Sequence, residues 1–175
     1  LKTLFTPTWI INSIYHIKPQ DLLDRGFRAA IIDLDNTLLA WDHLDHTPQM
    51  KEWIESLLKE GIKVHLLSNN TDERVKRVAD PLKLTYTPNA LKPMRRNFRI
   101  AMEQLNEPAE RIVVIGDQIM TDVLGAGRVG MKSILVKPIA HNDIIYSWLN
   151  RRLESVVLRS LNIDKQSDWG DTLDD

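Results

Sequence analysis

The sequence predicts an α/β fold, doubly wound about a mostly parallel five-stranded sheet. Three observations lead there. Short apolar runs recur near residues 29, 62, 84, 111 and 132. Stretches with helical periodicity separate them, which is the pattern of parallel strands joined by crossover helices. Several of the runs end abruptly in acids, amides or hydroxyls, where open α/β sheets keep their binding crevices.

The first strand, about 28 to 34, runs through Ala29-Ala30-Ile31-Ile32 into Asp33-Leu34-Asp35-Asn36-Thr37. Alternation would put Asp33 and Asp35 on one face if the extended geometry persisted. Two carboxylates that close call for a metal ion or a proton between them. Ahead of this strand, residues 1–27 are expected to pack on the core through Trp9, Ile10, Ile11, Ile14 and Ile17. An interfacial anchor is the other reading of this aromatic segment, which lacks the usual basic face. Pro19 and Gly26 bracket a short helix.

The loop from Leu39 to Thr47 carries Trp41, Asp42, His43, Asp45 and His46. Paired His and Asp suit a transition metal, but no further ligands stand nearby at motif spacing. A solvated loop beside the site is the plainer expectation, with Trp41, His43 and His46 within reach of a substrate. Pro48 to Glu60 is an amphipathic helix capped by Thr47 and stopped by Gly61. The strand Ile62–Leu67 then ends in Ser68-Asn69-Asn70, and one of Ser68, Asn69 or Thr71 is expected to cap the helix at 72–80.

After a short strand at 84–87, Lys92-Pro93 opens a helix at 93–106. Lys92, Arg95, Arg96 and Arg99 share one face, either solvated or gripping an anion. The strand at 111–115 ends in Gly116-Asp117-Gln118, with Asp122 five residues beyond Asp117. Gly125-Ala126-Gly127-Arg128-Val129-Gly130 matches the spacing of a dinucleotide-binding loop. It follows a helix and precedes a strand, the reverse of what that function needs, so it reads as a helix stop. A helix spans 142–161, packed on the domain or forming a dimer contact. Five Asp in the last dozen residues predict a mobile tail.

Composition narrows the function. Charges nearly balance, 23 basic against 24 acidic, so no global field points to nucleic acid. The chain has no cysteine, which excludes disulfides and thiolate metal sites and fits a reducing compartment. No apolar run approaches a membrane span, and the N-terminus lacks a signal-peptide layout. A cytoplasmic protein is expected, with peripheral membrane contact open and oligomeric state undetermined.

The four polar strand ends, in order, resemble the motifs of the haloacid dehalogenase (HAD) superfamily. The Asp-Leu-Asp-Asn-Thr, Ser-Asn-Asn and Gly-Asp-Gln-x-x-Thr-Asp wording is similar to its IIIA branch, and with the N-terminal stretch it resembles the YqeG family of bacterial phosphatases. The resemblance covers a catalytic domain over 28–140, and the C-terminal helix over 141–162 and the acidic tail over 163–175 lie beyond it. It implies a Mg²⁺-dependent phosphomonoester hydrolase using an aspartyl-phosphate intermediate. Asp33 would be nucleophile and Asp35 general acid and base. Ser68 and Lys92 would hold the phosphoryl group. Asp33, Asp35, Asp117 and Asp122 would serve the metal, Asp35 through its main-chain carbonyl and Asp122 by orienting Lys92 or a metal-bound water, and Thr37, Asn69, Arg95 and Arg96 the substrate. The gaps between motifs are too short for a full cap domain, so the site should be open to a large substrate. Similarity to mitochondrial phosphatidylglycerophosphate phosphatases favours a lipid phosphate, with phosphoprotein or sugar phosphate as alternatives. A non-enzymatic phosphate-sensing or partner-binding module is the competing class; an intact acid at Asp35 argues against it.

Overall fold

The computed structural model describes residues 2–140 and 148–174. Six parallel strands, among the described residues, form one open sheet in the order β1-β6-β5-β2-β3-β4. They are β1 (Trp9–Ile11), β2 (Ala29–Ile32), β3 (Lys63–Leu67), β4 (Thr85–Thr87), β5 (Ile112–Gly116) and β6 (Lys132–Val136). Five match the expected runs. The sixth, β1, pairs Trp9, Ile10 and Ile11 with Ile134, Leu135 and Val136 at the sheet edge. Three residues are too few to carry a strand signal alone; the partner strand supplies it.

The alternation of β2 sorts the core into two layers. Ala30 and Ile32 face one side, with Met50, Trp53, Ile54 and Leu57 of α2 (Pro48–Lys59) and Val75 and Val78 of α3 (Asp72–Ala79). Leu22 of α1 (Pro19–Asp24) joins that layer, as do Ile11, Ile14 and Ile17 of the N-terminal segment. Ala29 and Ile31 face the other side, against Phe98, Ala101 and Leu105 of α4 (Arg95–Leu105) and Ala126 of α5 (Leu124–Arg128). Buried on both faces, β2 can be apolar throughout. The glycine-rich stretch stays structural. Gly125 packs on the Phe98 ring, where a Cβ would come within 2.3 Å, and Gly130 turns the chain at φ +76°.

Thr47 and Thr71 cap α2 and α3, accepting from the N–H of Met50 and Arg74. The C-terminal helix α6 runs Trp148–Ser160; the expected residues 142–147 lie outside the described set. Residues 163–174, expected to be mobile, instead dock on the domain. Trp169 and Leu173 are buried. Asn12 accepts from the Trp169 N–H and donates to Asp168, and Arg25 donates to the Leu173 carbonyl. Two apolar side chains, placed among acids, are enough to anchor the strip. Among the described residues no helix is long and apolar enough to cross a membrane.

His65 of β3 holds a Thr hydroxyl at each ring nitrogen, Thr85 and Thr87, both at 2.8 Å. Burial disfavours its charged form and pulls its pKa down to about 4. An unfolded histidine titrates near ~6.5, so below that pH the unfolded chain takes up a proton that the folded chain refuses. This residue therefore costs no stability above pH ~6.5 and progressively more as pH falls toward the folded value. Urea unfolding should show His65 lowering stability by about 1–2 kcal/mol between pH 7 and pH 5. His65→Gln should flatten that slope; an unchanged slope would refute the assignment.

Candidate active site

The polar groups gather where β2 and its neighbours β3 and β5 end. β2 stops at Ile32, although the Asp33 N–H still reaches the Ile115 carbonyl at 3.0 Å. The chain then turns sharply. Thr37, Leu38 and Leu39 all donate to the Leu34 carbonyl, and Asn36 adopts φ +61°. An asparagine tolerates that left-handed conformation better than most residues. The extended geometry therefore does not persist beyond Asp33, and the two carboxylates take different partners.

Asp33 stays with the acidic group. Lys92 Nζ lies 2.9 Å from Asp33 Oδ1 and 2.7 Å from Asp122 Oδ1. The Thr37 hydroxyl stands 3.3 Å from both Asp33 Oδ2 and Asp117 Oδ1, and can donate its one hydrogen to either. Asp33, Asp117 and Asp122 bring carboxylate oxygens within 4.8 Å of one another. Asp122 enters on the π-helical turn Ile119–Val123 and accepts from the Gln118 N–H. Only glycine fits at position 116, because a Cβ there would lie 2.2 Å from the Asp122 carboxylate.

Asp35 is held by the next connection. Arg74 Nε and Nη2 meet its Oδ1 at 3.2 and 3.1 Å, and Asn70 Nδ2 donates to Oδ2 at 2.9 Å. Its carboxylate thus belongs to no metal-ligating group among the described residues, and it lines the small cavity together with Asp33. Arg74 and Asn70 escaped the sequence reading. Their link to Asp35 spans 39 and 35 residues, and nothing local signals it.

Ser68 is buried and accepts from the Asn70 N–H at 3.0 Å, leaving its own hydrogen to donate. Asn69 was expected to touch substrate. It lines the small cavity, and its amide also holds the Lys92 main chain, accepting from the N–H at 2.7 Å and donating to the carbonyl. Arg95 and Arg96 are exposed on α4, and Arg95 donates to the Arg128 carbonyl. Neither lines the cavities over the carboxylates, because α4 turns its apolar stripe to the sheet and its arginines to solvent. His43 is exposed, and neither it nor His46 belongs to a metal-ligating group among the described residues.

Two cavities open on this floor. A small one of about 130 Å³ is lined by Asp33, Asp35, Ser68, Asn69, Asn70, Lys92 and Thr121. A larger one of about 400 Å³ shares Lys92 and Thr121 and runs past Asp117 toward α6.

The electrostatics are those of a cation site. Burial would lower the Lys92 pKa, but Asp122 and Asp33 outweigh it and hold the ammonium firmly charged. Burial, then the neighbouring Asp33 and Asp122 charges, pushes Asp117 well above the ordinary carboxylate range. Burial raises Asp122 to about 7, against the pull of Lys92. Three carboxylates facing one ammonium leave two negative charges unmatched, which one divalent ion would balance. An all-oxygen donor set suits a hard ion such as Mg²⁺.

Comparison with known proteins agrees. Residues 4–130 match the family model for haloacid dehalogenase-like hydrolases. The chain is 40% identical over 169 residues to the probable phosphatase YqeG of Bacillus subtilis, covering 97% of this chain and 98% of that protein. Its fold is shared with cobalt-bound deoxy-D-mannose-octulosonate 8-phosphate phosphatase of Haemophilus influenzae (TM-score 0.53, 16% identity, 82% of this chain and 92% of that one). It is also shared with a putative subfamily IIIA hydrolase of Legionella pneumophila (TM-score 0.52, 15% identity, 82% and 89% covered). With the family model matched over most of its length and a near-full-length phosphatase relative, this chain belongs to the haloacid dehalogenase-like hydrolases and is a phosphatase of that family.

Proposed function

We propose that this phosphatase cleaves phosphomonoesters through an aspartyl phosphate on Asp33, and that its substrate is a lipid phosphate met at a cytoplasmic membrane surface. The observation that carries the reaction is the Lys92 ammonium bridging Asp33 and Asp122 on the floor of a phosphate-sized cavity. An Asp33 carboxylate oxygen attacks phosphorus, and the ester P–O bond breaks. Asp35 protonates the departing oxygen, exchanging one of its contacts to Arg74 or Asn70 to do so. Asp35 then takes a proton from water, whose oxygen attacks phosphorus and frees Asp33 and inorganic phosphate. Ser68 donates to a phosphoryl oxygen, and Lys92 offsets charge on nucleophile and phosphoryl group. Thr37 and Asn69 position Asp33 and Lys92. Asp33, Asp117 and Asp122 would hold Mg²⁺, which when bound supplies positive charge where the transferred group is most negative.

The lipid assignment rests on the rim. Leu91 and Met94, flanking the cavity residues Lys92 and Pro93, are exposed, as are Ile139, Trp148 and Leu149. Apolar and aromatic groups around a site mouth, with Arg151 and Arg152 beside them, suit the headgroup region of an anionic bilayer.

Phosphate release tests this directly. The panel is an aryl phosphate, phosphatidylglycerophosphate in detergent, a sugar phosphate and a phosphopeptide. Release should require Mg²⁺, cease with chelator and return on readdition, with the lipid turned over fastest. Chelator-resistant release would refute the metal assignment, and a faster sugar phosphate or phosphopeptide the lipid one.

A further inference from the structure

Resting on the phosphatase reading, we infer that the larger cavity under α6 is a leaving-group subsite for a second anionic group, read by Lys165. The substrate would then carry a phosphate or phosphodiester beyond the phosphoryl group that is removed.

The small cavity accommodates the transferred phosphoryl group and little else. The rest of the substrate needs room, and the 400 Å³ cavity opens from the same floor across Lys92 and Thr121. Its far wall comes from α6 and the docked C-terminal strip, elements outside the residues matched by the family model. That wall is tied to the catalytic floor. Glu154 of α6 accepts from the N–H of Ile119 at 2.7 Å and of Met120 at 2.8 Å, on the turn that carries Asp122. Those two bonds occupy the Glu154 carboxylate, so it is a structural cap and repels an entering anion less than a free carboxylate would.

Two cations, Arg151 and Lys165, line the wall against the one carboxylate of Glu154. Lys165 lines the cavity, half-buried, and makes no hydrogen bond or ion pair within the described residues. Its field reaches both Asp117 and Glu154. Arg151 lines the same wall. Lys92, the other cation on the floor, is already held by Asp33 and Asp122. A half-buried ammonium facing a cavity beside a phosphate site selects a second anion.

Equilibrium binding to the Mg²⁺-loaded full chain tests this without turnover. The probes are α,ω-bisphosphonates with two to four carbons, each against the alkylphosphonate of equal length. The best bisphosphonate should bind at least about tenfold tighter than its partner, the scale of one charge-assisted contact. Lys165→Met should collapse that ratio to within about threefold, and Lys165→Arg should keep it. Equal binding of the two probes by the wild type would overturn the inference. So would a ratio that survives Lys165→Met, or an equal loss for both probes, which would mean that Lys165 serves only Asp117. Converting the distal phosphonate to its monoalkyl ester separates sources. Retained affinity points to a phosphodiester headgroup, and lost affinity to a free phosphate. Failure of the phosphatase reading would appear separately, as absent release from the aryl phosphate.

Discussion

Asp33→Asn is expected to lower aryl phosphate turnover by at least about a thousandfold, the scale seen when a nucleophile is removed. The amide is nearly isosteric with the carboxylate but is a poor nucleophile and carries no charge. The fold should survive, because Lys92 keeps its 2.7 Å contact with Asp122 and the Thr37 hydroxyl keeps Asp117 as an acceptor. Stability should in fact rise in metal-free buffer. The Asp33 charge is among the causes that drive Asp117 well above its ordinary range, and removing it relieves that repulsion. The expected result is therefore a paired one, activity lost and melting temperature raised, the usual mark of a strained functional cluster. Steady-state phosphate release and thermal unfolding in chelator check both halves. Near-wild-type turnover would refute the nucleophile assignment. A large loss of stability would show that Asp33 is a structural partner of Lys92.

The main lines of this site could be read locally because a parallel strand ends in one place. Asp33, Ser68 and Asp117 each follow an apolar run, and Lys92-Pro93 opens the next helix, so the sequence alone points them to the carboxyl ends of the strands. What pairs with what could not be read. Asp33 and Asp35 are two apart in sequence, and alternation puts them on one face. The strand ends at Ile32 and the chain turns at once, so the two acids meet different partners although both line the small cavity. Asp35 finds Arg74 and Asn70 from the next βα connection, a pairing set by how α3 docks. The arginines of α4 were legible as a face, but which way the face points depends on Phe98, Ala101 and Leu105 meeting the sheet. Composition misled at the C-terminus. An acidic average hid Trp169 and Leu173, and their anchoring uses Asn12 and Arg25 from the far end of the chain.

Lys92→Met tests how the acidic group is held together. The lysine side chain is 3% exposed, and its ammonium is the one hydrogen-bonded cation partner that Asp33 and Asp122 have among the described residues. Methionine fills similar volume and removes the charge, so packing loss is small. What remains is the buried Asp117 and Asp122 and the partly buried Asp33, with no hydrogen-bonded cation among the described residues. Breaking a buried ion pair in this way typically costs about 3–5 kcal/mol. In a chain of this size that corresponds to a fall in melting temperature of roughly 6–20 °C. Turnover should fall by about 10²–10³, as expected when a preorganised charge is withdrawn from the transferred group. The discriminating readout is the metal. A divalent cation stabilises whichever form binds it more tightly. The variant's uncompensated carboxylates should draw Mg²⁺ harder, so added Mg²⁺ should raise its melting temperature more than that of wild type. If the two shifts were equal, the carboxylates would have been neutralised by protons, and Lys92 would not be what keeps them charged. If the variant melted within a degree or two of wild type, the buried ion-pair account would fail. Either result is read without a substrate and does not depend on which phosphoester the enzyme prefers.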